Sequence, residues 1–539
     1  MSGLFYCSVL AAGIGLLGCG RILLCGAPLG RQFLAGLLFI SAIGGSLAYL
    51  APLVIIPFSR GAIIVGCLVC LYSLRSTIRV GIQLPDRRIV LCGILATLIG
   101  IGFALPYHFR FASILEANYY LGQIVEYFLA DYIGPLRIPN YYPYEMAASH
   151  VQASAAIAVM AALMSHGTML DGLEIRFLLV AFTITRISFV VLYKAKYSPY
   201  LSVPLVVAGL LVFMNEMYQT FDVSSYIFMM LMAELSLTLY HDDQPLEHSA
   251  RDVLFLLIGM VGAKASIFYL PALVALWVCL RFPRLVLHPV AIAQGVVTLM
   301  MLVVLLFQPK PFSDVDIKLS FFNLAGGRAA FDYYPRLHDV LIDPHWISDI
   351  LPVKHVSGVL LLFLVVALKY WILPIRALSA QAAALSQGRR EIIRVAEIYL
   401  LVALVSLVLI RHEQHGTAHQ IWVIYGAAPL AMLPILSRAL DKNASWLWKG
   451  GLIAIAMAAI ILGDTPLRKM APLESRHLGG VNHYELMQMK PKDAMMPRPG
   501  DRVDSRCQRA LLKGIRVLAS DVPLACASTL GTLALEPKK

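Results

Sequence analysis

The sequence predicts an all-α, polytopic membrane protein, and two observations carry that prediction. Hydrophobic residues make up 59% of the 539 residues, charged residues make up 14%, and the mean hydropathy is +0.75. Apolar runs of roughly 20 residues, the length that crosses a bilayer core as a helix, recur along most of the chain. Because a helix satisfies its backbone polar groups within one segment, we expect helical spans.

The apolar runs predict about 13 to 15 transmembrane helices within residues 1–463. No basic stretch precedes the first run and no small-residue cleavage motif precedes Arg21, so we expect a retained first helix. Apolar density falls over residues 464–539, which predicts a small external C-terminal region. The predicted spans lie near residues 3–20, 33–56, 61–74, 89–106, 147–166, 177–193, 200–216, 224–240, 253–281, 287–307, 356–375, 394–410, 418–437 and 447–463.

The net charge of +12 is spread over short loops, which favours topology signals and anchors to anionic lipid over a nucleic-acid partner. Loops 74–88 and 376–394 each carry four arginines and should be cytoplasmic. Arg281 and Arg284 fall on the same side if the spans alternate. The count of spans then requires either that residues 147–176 fold back on the outer side or that 253–281 is two short helices broken at Lys264, and we favour the broken helix together with a re-entrant segment. Loops 107–146 and 308–355 and the C-terminal region are then external.

The external segment 107–146 is the likeliest active-site region, since it combines several carboxylates with eight tyrosines. Glu116, Glu126 and Asp131 lie in a stretch with helical periodicity and one apolar face, typical of a helix along the membrane interface. These acids either solvate the outer face, or one of them acts as a general base whose pKa is raised by apolar neighbours. The same segment contains His108 and Glu145.

Two other positions could meet a phosphate group. Lys264 lies among apolar residues, where a lysine is costly at membrane depth, so it either snorkels to a helix end or binds phosphate. Arg411 opens a run that includes His412, His415 and His419, whose spacing also suits a metal ion if the run is helical. Gly416 and Thr417 favour a loop instead, so polar interface residues, phosphate contact and metal ligation all remain open. We expect no certain cofactor, and a divalent cation is left open.

Cysteines and the second external loop give weaker signals. Cys507 and Cys526 are the only cysteines of the C-terminal region and can form a disulfide in an oxidising compartment. Sequence alone does not give the geometry that such a bond needs. Loop 308–355 mixes aromatic and charged residues, as sugar-binding surfaces and ordinary exposed loops both do.

Three of these places resemble polytopic glycosyltransferases of the C fold, which include protein mannosyltransferases and the aminoarabinose transferase of lipid A. Tyr142 and Pro143, with Glu145, open an apolar helix after the acidic segment, as in the first external loop of those enzymes. Lys264 before Pro271 is similar to their broken helix, and Arg411 before a span containing Pro429 is similar to their late external loop. The layout, with four spans before the acidic loop, is closest to bacterial envelope proteins of that group.

The resemblance implies a sugar donor linked to a polyprenyl phosphate and a location in the bacterial cytoplasmic membrane. It implies that a loop carboxylate is the base, that Lys264, Arg411 and His415 hold the donor phosphate, and that Tyr142, Glu145 and His108 face the sugar or the acceptor. Members commonly carry an aspartate early in the loop, where this chain has His108. Glu116 is therefore the first candidate for the base, followed by Asp131 and Glu126.

The sequence thus predicts an integral-membrane glycosyltransferase that acts on an envelope glycan, lipid or protein. A transporter or flippase for a lipid-linked saccharide is the alternative from another class, and it would carry charges at mid-span positions. A non-catalytic component of a polysaccharide assembly complex is the third. Phosphate-binding loops of the Walker type and serine nucleophile elbows are absent from the sequence, which argues against ATP-driven transport and soluble-type hydrolysis.

Overall fold

The computed structural model describes residues 3–50, 54–80, 86–109, 174–194, 199–214, 223–238, 245–261 and 269–307, with single helical positions between 391 and 402 and between 450 and 457. These residues form helices and no strand. The helices are α1 (Gly3–Leu23), α2 (Leu29–Leu50), α3 (Ile55–Val80), α4 (Arg87–Phe109), α5 (Glu174–Lys194), α6 (Pro199–Met214), α7 (Val223–Leu237), α8 (Leu246–Val261), α9 (Tyr269–Arg281), a 3-10 helix (Pro283–Leu287) and α10 (Pro289–Phe307).

The helices are those of a membrane-embedded protein. Four are long and apolar enough to cross a membrane by length and composition, at Leu29–Leu47, Pro57–Arg75, Arg87–Leu105 and Phe177–Lys194. Shorter apolar helices accompany them in the described residues. The all-α fold class is therefore confirmed for this part of the chain, and the total of about 13 to 15 spans stays a prediction.

One contiguous hydrophobic core joins most of the described helices, and α7 lies at its centre. Every residue from 226 to 238 is buried, so α7 is covered on all sides, as expected of a helix that is apolar all round. Aromatic stacking ties its neighbours together: the rings of Phe33 in α2 and Phe182 in α5 lie 4.6 Å apart. By contrast α3 exposes Leu68, Leu71 and Tyr72, as a helix facing lipid does.

Small residues let α1 and α3 approach closely. A Cβ atom added at Gly18 would overlap the backbone carbonyl of Gly66 in α3, and one added at Gly66 would overlap the carbonyl of Gly15. Small residues at such contacts are typical of helix packing in membranes, where close backbone approach replaces the hydrophobic effect as the main attraction.

Two element boundaries differ from the sequence prediction. The span predicted at 33–56 begins earlier, because α2 starts at Leu29, and this places Arg31 inside the helix. The span predicted at 253–281 agrees with the interpretation of a helix broken at Lys264: the described residues on either side of that position form two helices, α8 and α9, which pack against each other, and Lys264 itself lies outside the described residues. Residues 107–109, which the prediction assigned to the external segment, form the end of α4.

Candidate functional site: a buried ionic cluster

Five charged side chains from four helices form a buried ionic cluster, and the turn between α1 and α2 positions the first of them. Gly26 has φ 81°, a left-handed conformation that glycine adopts without a Cβ clash. The side chain of Gln32 donates from Nε2 to the carbonyl oxygen of Ala27 at 2.9 Å, which ties the turn to α2. Arg31 is consequently held in the first turn of α2, facing the core.

Arg31 is almost completely buried. Its side chain and that of Asp252 in α8 are each 1% exposed, and Arg31 NH1 lies 3.9 Å from Asp252 Oδ2. Among the described residues, none accepts a hydrogen bond from Arg31 Nε, NH1 or NH2. A guanidinium group in this setting has lost its water, and among the described residues the Asp252 carboxylate lies at ion-pair distance to offset that loss.

The second ion pair joins α5 and α7. Arg186 donates from Nε to Glu234 Oε1 and from NH2 to Glu234 Oε2, the latter at 2.9 Å, so the guanidinium binds both carboxylate oxygens. The Glu234 side chain is 2% exposed. Two parallel bonds of this kind fix the geometry as well as adding charge-assisted strength.

Gly30 brings this pair against α2. A Cβ atom at position 30 would overlap Glu234 Oε1 and would lie 2.7 Å from Arg186 Nε. The Glu234 carboxylate therefore lies at the N-terminal turn of α2, where the helix dipole favours a negative charge. Glycine at this position is a packing requirement set by the ion pair.

The remaining pair lies within α8. Arg251 donates from NH2 to Asp252 Oδ1 at 2.7 Å and from Nε to the same oxygen at 3.0 Å. Asp252 thus offers one oxygen to Arg251 and turns the other towards Arg31. The cluster as a whole holds three arginines and two carboxylates, which leaves one excess positive charge.

His288 lies beside the cluster, between the 3-10 helix and α10. Its Nδ1 accepts a hydrogen bond from the backbone N–H of Val290 at 3.3 Å, so the ring caps the start of α10. Burial and the positive charge of Arg251 lower the pKa of His288, an effect that Asp252 opposes and His248 reinforces. The neutral imidazole is the form that can accept this bond.

None of the five members of the ionic cluster was among the predicted site residues. Glu234 lies inside the predicted span 224–240, and a charged residue within an apolar span is the sequence signal that could have identified it. Arg31 and Asp252 lie just before the predicted spans 33–56 and 253–281. A charged residue at the edge of an apolar run is normally assigned to a loop. Their burial follows from helix packing that hydropathy alone does not give.

Most of the predicted site residues lie outside the described residues. His108 belongs to the last turn of α4, next to the external segment. The geometry of the others stays a prediction; these are Glu116, Glu126, Asp131, Tyr142, Glu145, Lys264, Arg411, His415, Cys507 and Cys526. Within the described ranges, no group of three or more His, Cys, Asp or Glu side chains could hold a metal ion.

Comparisons of the chain with protein-family models, with curated proteins and with solved structures give no match. The likeness to glycosyltransferases of the C fold therefore rests on the sequence motifs around Tyr142, Lys264 and Arg411 alone.

Proposed function

We propose that this protein is an integral-membrane glycosyltransferase. It transfers a sugar from a polyprenyl-phosphate-linked donor to an envelope glycan, lipid or protein at the outer face of a bacterial cytoplasmic membrane, with its C-terminal region outside. The observation that carries the proposal is the acidic, tyrosine-rich segment 107–146 among apolar spans. Carboxylates concentrated beside a membrane suit the deprotonation of an acceptor hydroxyl.

The described helices support this proposal, because the helices before and after this part of the chain lie side by side. The chain enters the acidic segment from α4, which ends at Phe109, and re-enters the described bundle at Glu174, where α5 begins. These two helices pack along each other, and Gly100 in α4 lies against Thr185 and Ala181 in α5. The segment and the residues that follow it therefore connect two neighbouring helices, as an active-site loop on a rigid scaffold does.

In this proposal Glu116 is the base, with Asp131 and Glu126 as the next candidates. Lys264, Arg411 and His415 hold the donor phosphate, because cationic donors neutralise phosphate oxygens. Tyr142, Glu145 and His108 contact the sugar or the acceptor. A lipid-linked donor is consistent with the apolar composition, since such a donor reaches the site through the bilayer.

The test is turnover of radiolabelled polyprenyl-phosphate sugars by the purified full-length chain. Replacing Glu116 with Gln should lower kcat by about 10²- to 10⁴-fold, the usual contribution of a general base. Glu247→Gln is the matched control, since Glu247 is an exposed carboxylate in the first turn of α8. Equal turnover by Glu116→Gln and wild type would remove Glu116 from the mechanism, and no product with any donor would sink the enzyme proposal.

The ionic cluster favours a second candidate, a transporter or flippase for a lipid-linked saccharide. Buried charges inside membrane helices are costly and often mark transport pathways. Arg31, Arg186, Glu234 and Asp252 are such charges. Movement of a fluorescent polyprenyl-linked saccharide across proteoliposomes, without a change in its chemical structure, would support this candidate over the enzyme.

A further inference from the structure

The connection between α9 and α10 carries two exposed arginines that are not part of the buried ionic cluster. Arg281 and Arg284 are exposed there, His248 is exposed in the first turn of α8, and His288 is half-buried. The 3-10 helix contacts α8, α9 and α10, so these residues belong to one end of the helix group. We call Arg281, Arg284, His248 and His288 the basic rim.

Two buried carboxylates lie near the basic rim, those of Asp252 and Glu391, and both are paired with arginines. Asp252 is buried and bound by Arg251. Glu391 is also buried, and it lies 2.9 Å from Arg394 and 3.8 Å from Arg281. Arg284 keeps an exposed positive charge that forms no ion pair within the described part of the chain.

Large apolar side chains stand exposed beside these arginines. Leu280 is 74% exposed and Leu287 is 77% exposed, and Val286 between them along the chain is also exposed. Arginine next to exposed leucine at a helix end is the arrangement of the membrane interface, where the guanidinium meets headgroups and the leucine meets acyl chains. A soluble anion would use only the charged half of this surface.

The backbone holds this surface in a fixed shape. The N–H of Phe282 donates to the carbonyl of Val278 at 2.8 Å, and the N–H of Leu285 donates to the carbonyl of Phe282 at 3.0 Å. The N–H of His288 donates to the carbonyl of Leu285 at 3.0 Å, and the buried Leu285 side chain anchors the segment to the core. The backbone of the segment is therefore preset, so a ligand orders only the exposed side chains, which lowers the entropic cost of binding.

We propose that the basic rim binds the headgroup phosphate of an anionic phospholipid, with Leu280 and Leu287 against its acyl chains. Arg284 provides the main phosphate contact, because its guanidinium is exposed and free of carboxylate partners among the described residues. A membrane surface supplies such phosphates at high local concentration, and its attraction adds about 1 kcal/mol for each basic residue near it. The proposal is independent of the reaction that the protein catalyses.

The experiment is a titration of the delipidated, detergent-solubilised full-length chain with phosphatidylglycerol, followed by native mass spectrometry, with phosphatidylcholine as the neutral lipid. We expect preferential binding of phosphatidylglycerol, and we expect Arg284→Gln to weaken it about five-fold, which corresponds to one basic contact. Arg284→Lys should recover part of the loss. Arg75→Gln is the matched control, because Arg75 is an exposed arginine of α3 outside the basic rim.

A third variant distinguishes binding of a phospholipid from binding of other phosphate-containing ligands. Leu287→Ser keeps every charge of the basic rim and should still weaken phosphatidylglycerol binding, since it removes contact with the acyl chain. An unchanged affinity for Leu287→Ser, or full displacement by millimolar inorganic phosphate, would overturn the assignment to lipid. Equal losses for Arg284→Gln and Arg75→Gln would overturn the site itself, as diffuse attraction would then explain the binding. Thermal unfolding of each variant verifies that it is folded.

Discussion

Asp252 and Glu391 each lie between two arginines at nearly the same distances, yet their surroundings differ. Asp252 has Arg251 at 2.7 Å and Arg31 at 3.9 Å, and Glu391 has Arg394 at 2.9 Å and Arg281 at 3.8 Å. The Arg31 side chain is 1% exposed, whereas those of Arg281 and Arg394 are 52% and 61% exposed. Both carboxylates are therefore buried, but Arg31 beside Asp252 is enclosed by helices while the two arginines beside Glu391 are exposed.

Burial of the arginine, more than the distance between the charges, determines how much such an ionic group contributes to the free energy of unfolding. An exposed ion pair contributes about 0–1 kcal/mol, because water and salt screen it. In a buried pair both ions have lost their hydration, so removing one of them leaves the other uncompensated. The Asp252 group should therefore govern stability, and the Glu391 group should not.

The largest expected effect comes from breaking the buried group. Asp252→Asn leaves Arg31 without its carboxylate and should lower the free energy of unfolding by about 3–5 kcal/mol. Glu391→Gln should lower it by about 1 kcal/mol or less, because the arginines beside Glu391 can turn to solvent. Denaturant unfolding of both variants in one detergent compares the two groups. Equal losses would show that burial does not distinguish them.

A smaller effect is expected from the pair of Arg186 and Glu234. Glu234→Leu removes two charge-assisted bonds and should cost about 1.5–3 kcal/mol in total, because the partly exposed Arg186 regains contact with water. The double variant Arg186→Met with Glu234→Leu should lie close to wild type, since an apolar replacement removes both desolvation costs. A double variant less stable than Glu234→Leu alone would contradict this account of the pair.

The smallest expected effects come from replacing two glycines, Gly30 and Gly93, with alanine, which should change stability in opposite directions. Gly30→Ala places a methyl group against Glu234 Oε1 and should destabilise the protein by about 1 kcal/mol or more, because that carboxylate is held by Arg186. Gly93→Ala in α4 meets nothing within 4 Å and should stabilise the helix by about 0.5–1 kcal/mol. Thermal midpoints that shift in the same direction would show that the ionic cluster does not constrain position 30.

Sequence reasoning gave the helices well where hydropathy alone defines them. The predicted spans 89–106, 177–193 and 287–307 lie within or close to α4 (Arg87–Phe109), α5 (Glu174–Lys194) and α10 (Pro289–Phe307). It failed at Arg31, because one charged residue ahead of an apolar window ends the predicted span while the real helix continues through it. The apolar pattern identifies residues that are buried because they are hydrophobic, whereas Arg31 is polar and is buried only by the helices that pack around it.

The ionic cluster was harder to predict for a second reason. Arg186 and Glu234 lie 48 residues apart, and neither the spacing nor the periodicity of the sequence pairs them. Glu234 changes the mean hydropathy of its apolar run very little, so it stays inconspicuous in a window analysis. The acidic segment 107–146 is the opposite case. Its composition is easily recognised in the sequence, while its residues after Phe109 lie outside those that the structure describes.

We propose that the chemistry belongs to the segment 107–146 and that the ionic cluster holds the helices together. The most direct measurement is glycosyl transfer per folded molecule by Glu116→Gln and Asp252→Asn, each with its unfolding midpoint. The account predicts that Glu116→Gln keeps the wild-type midpoint and loses turnover, and that Asp252→Asn lowers the midpoint while its folded molecules keep turnover. Normal turnover in Glu116→Gln, with none in folded Asp252→Asn, would contradict it.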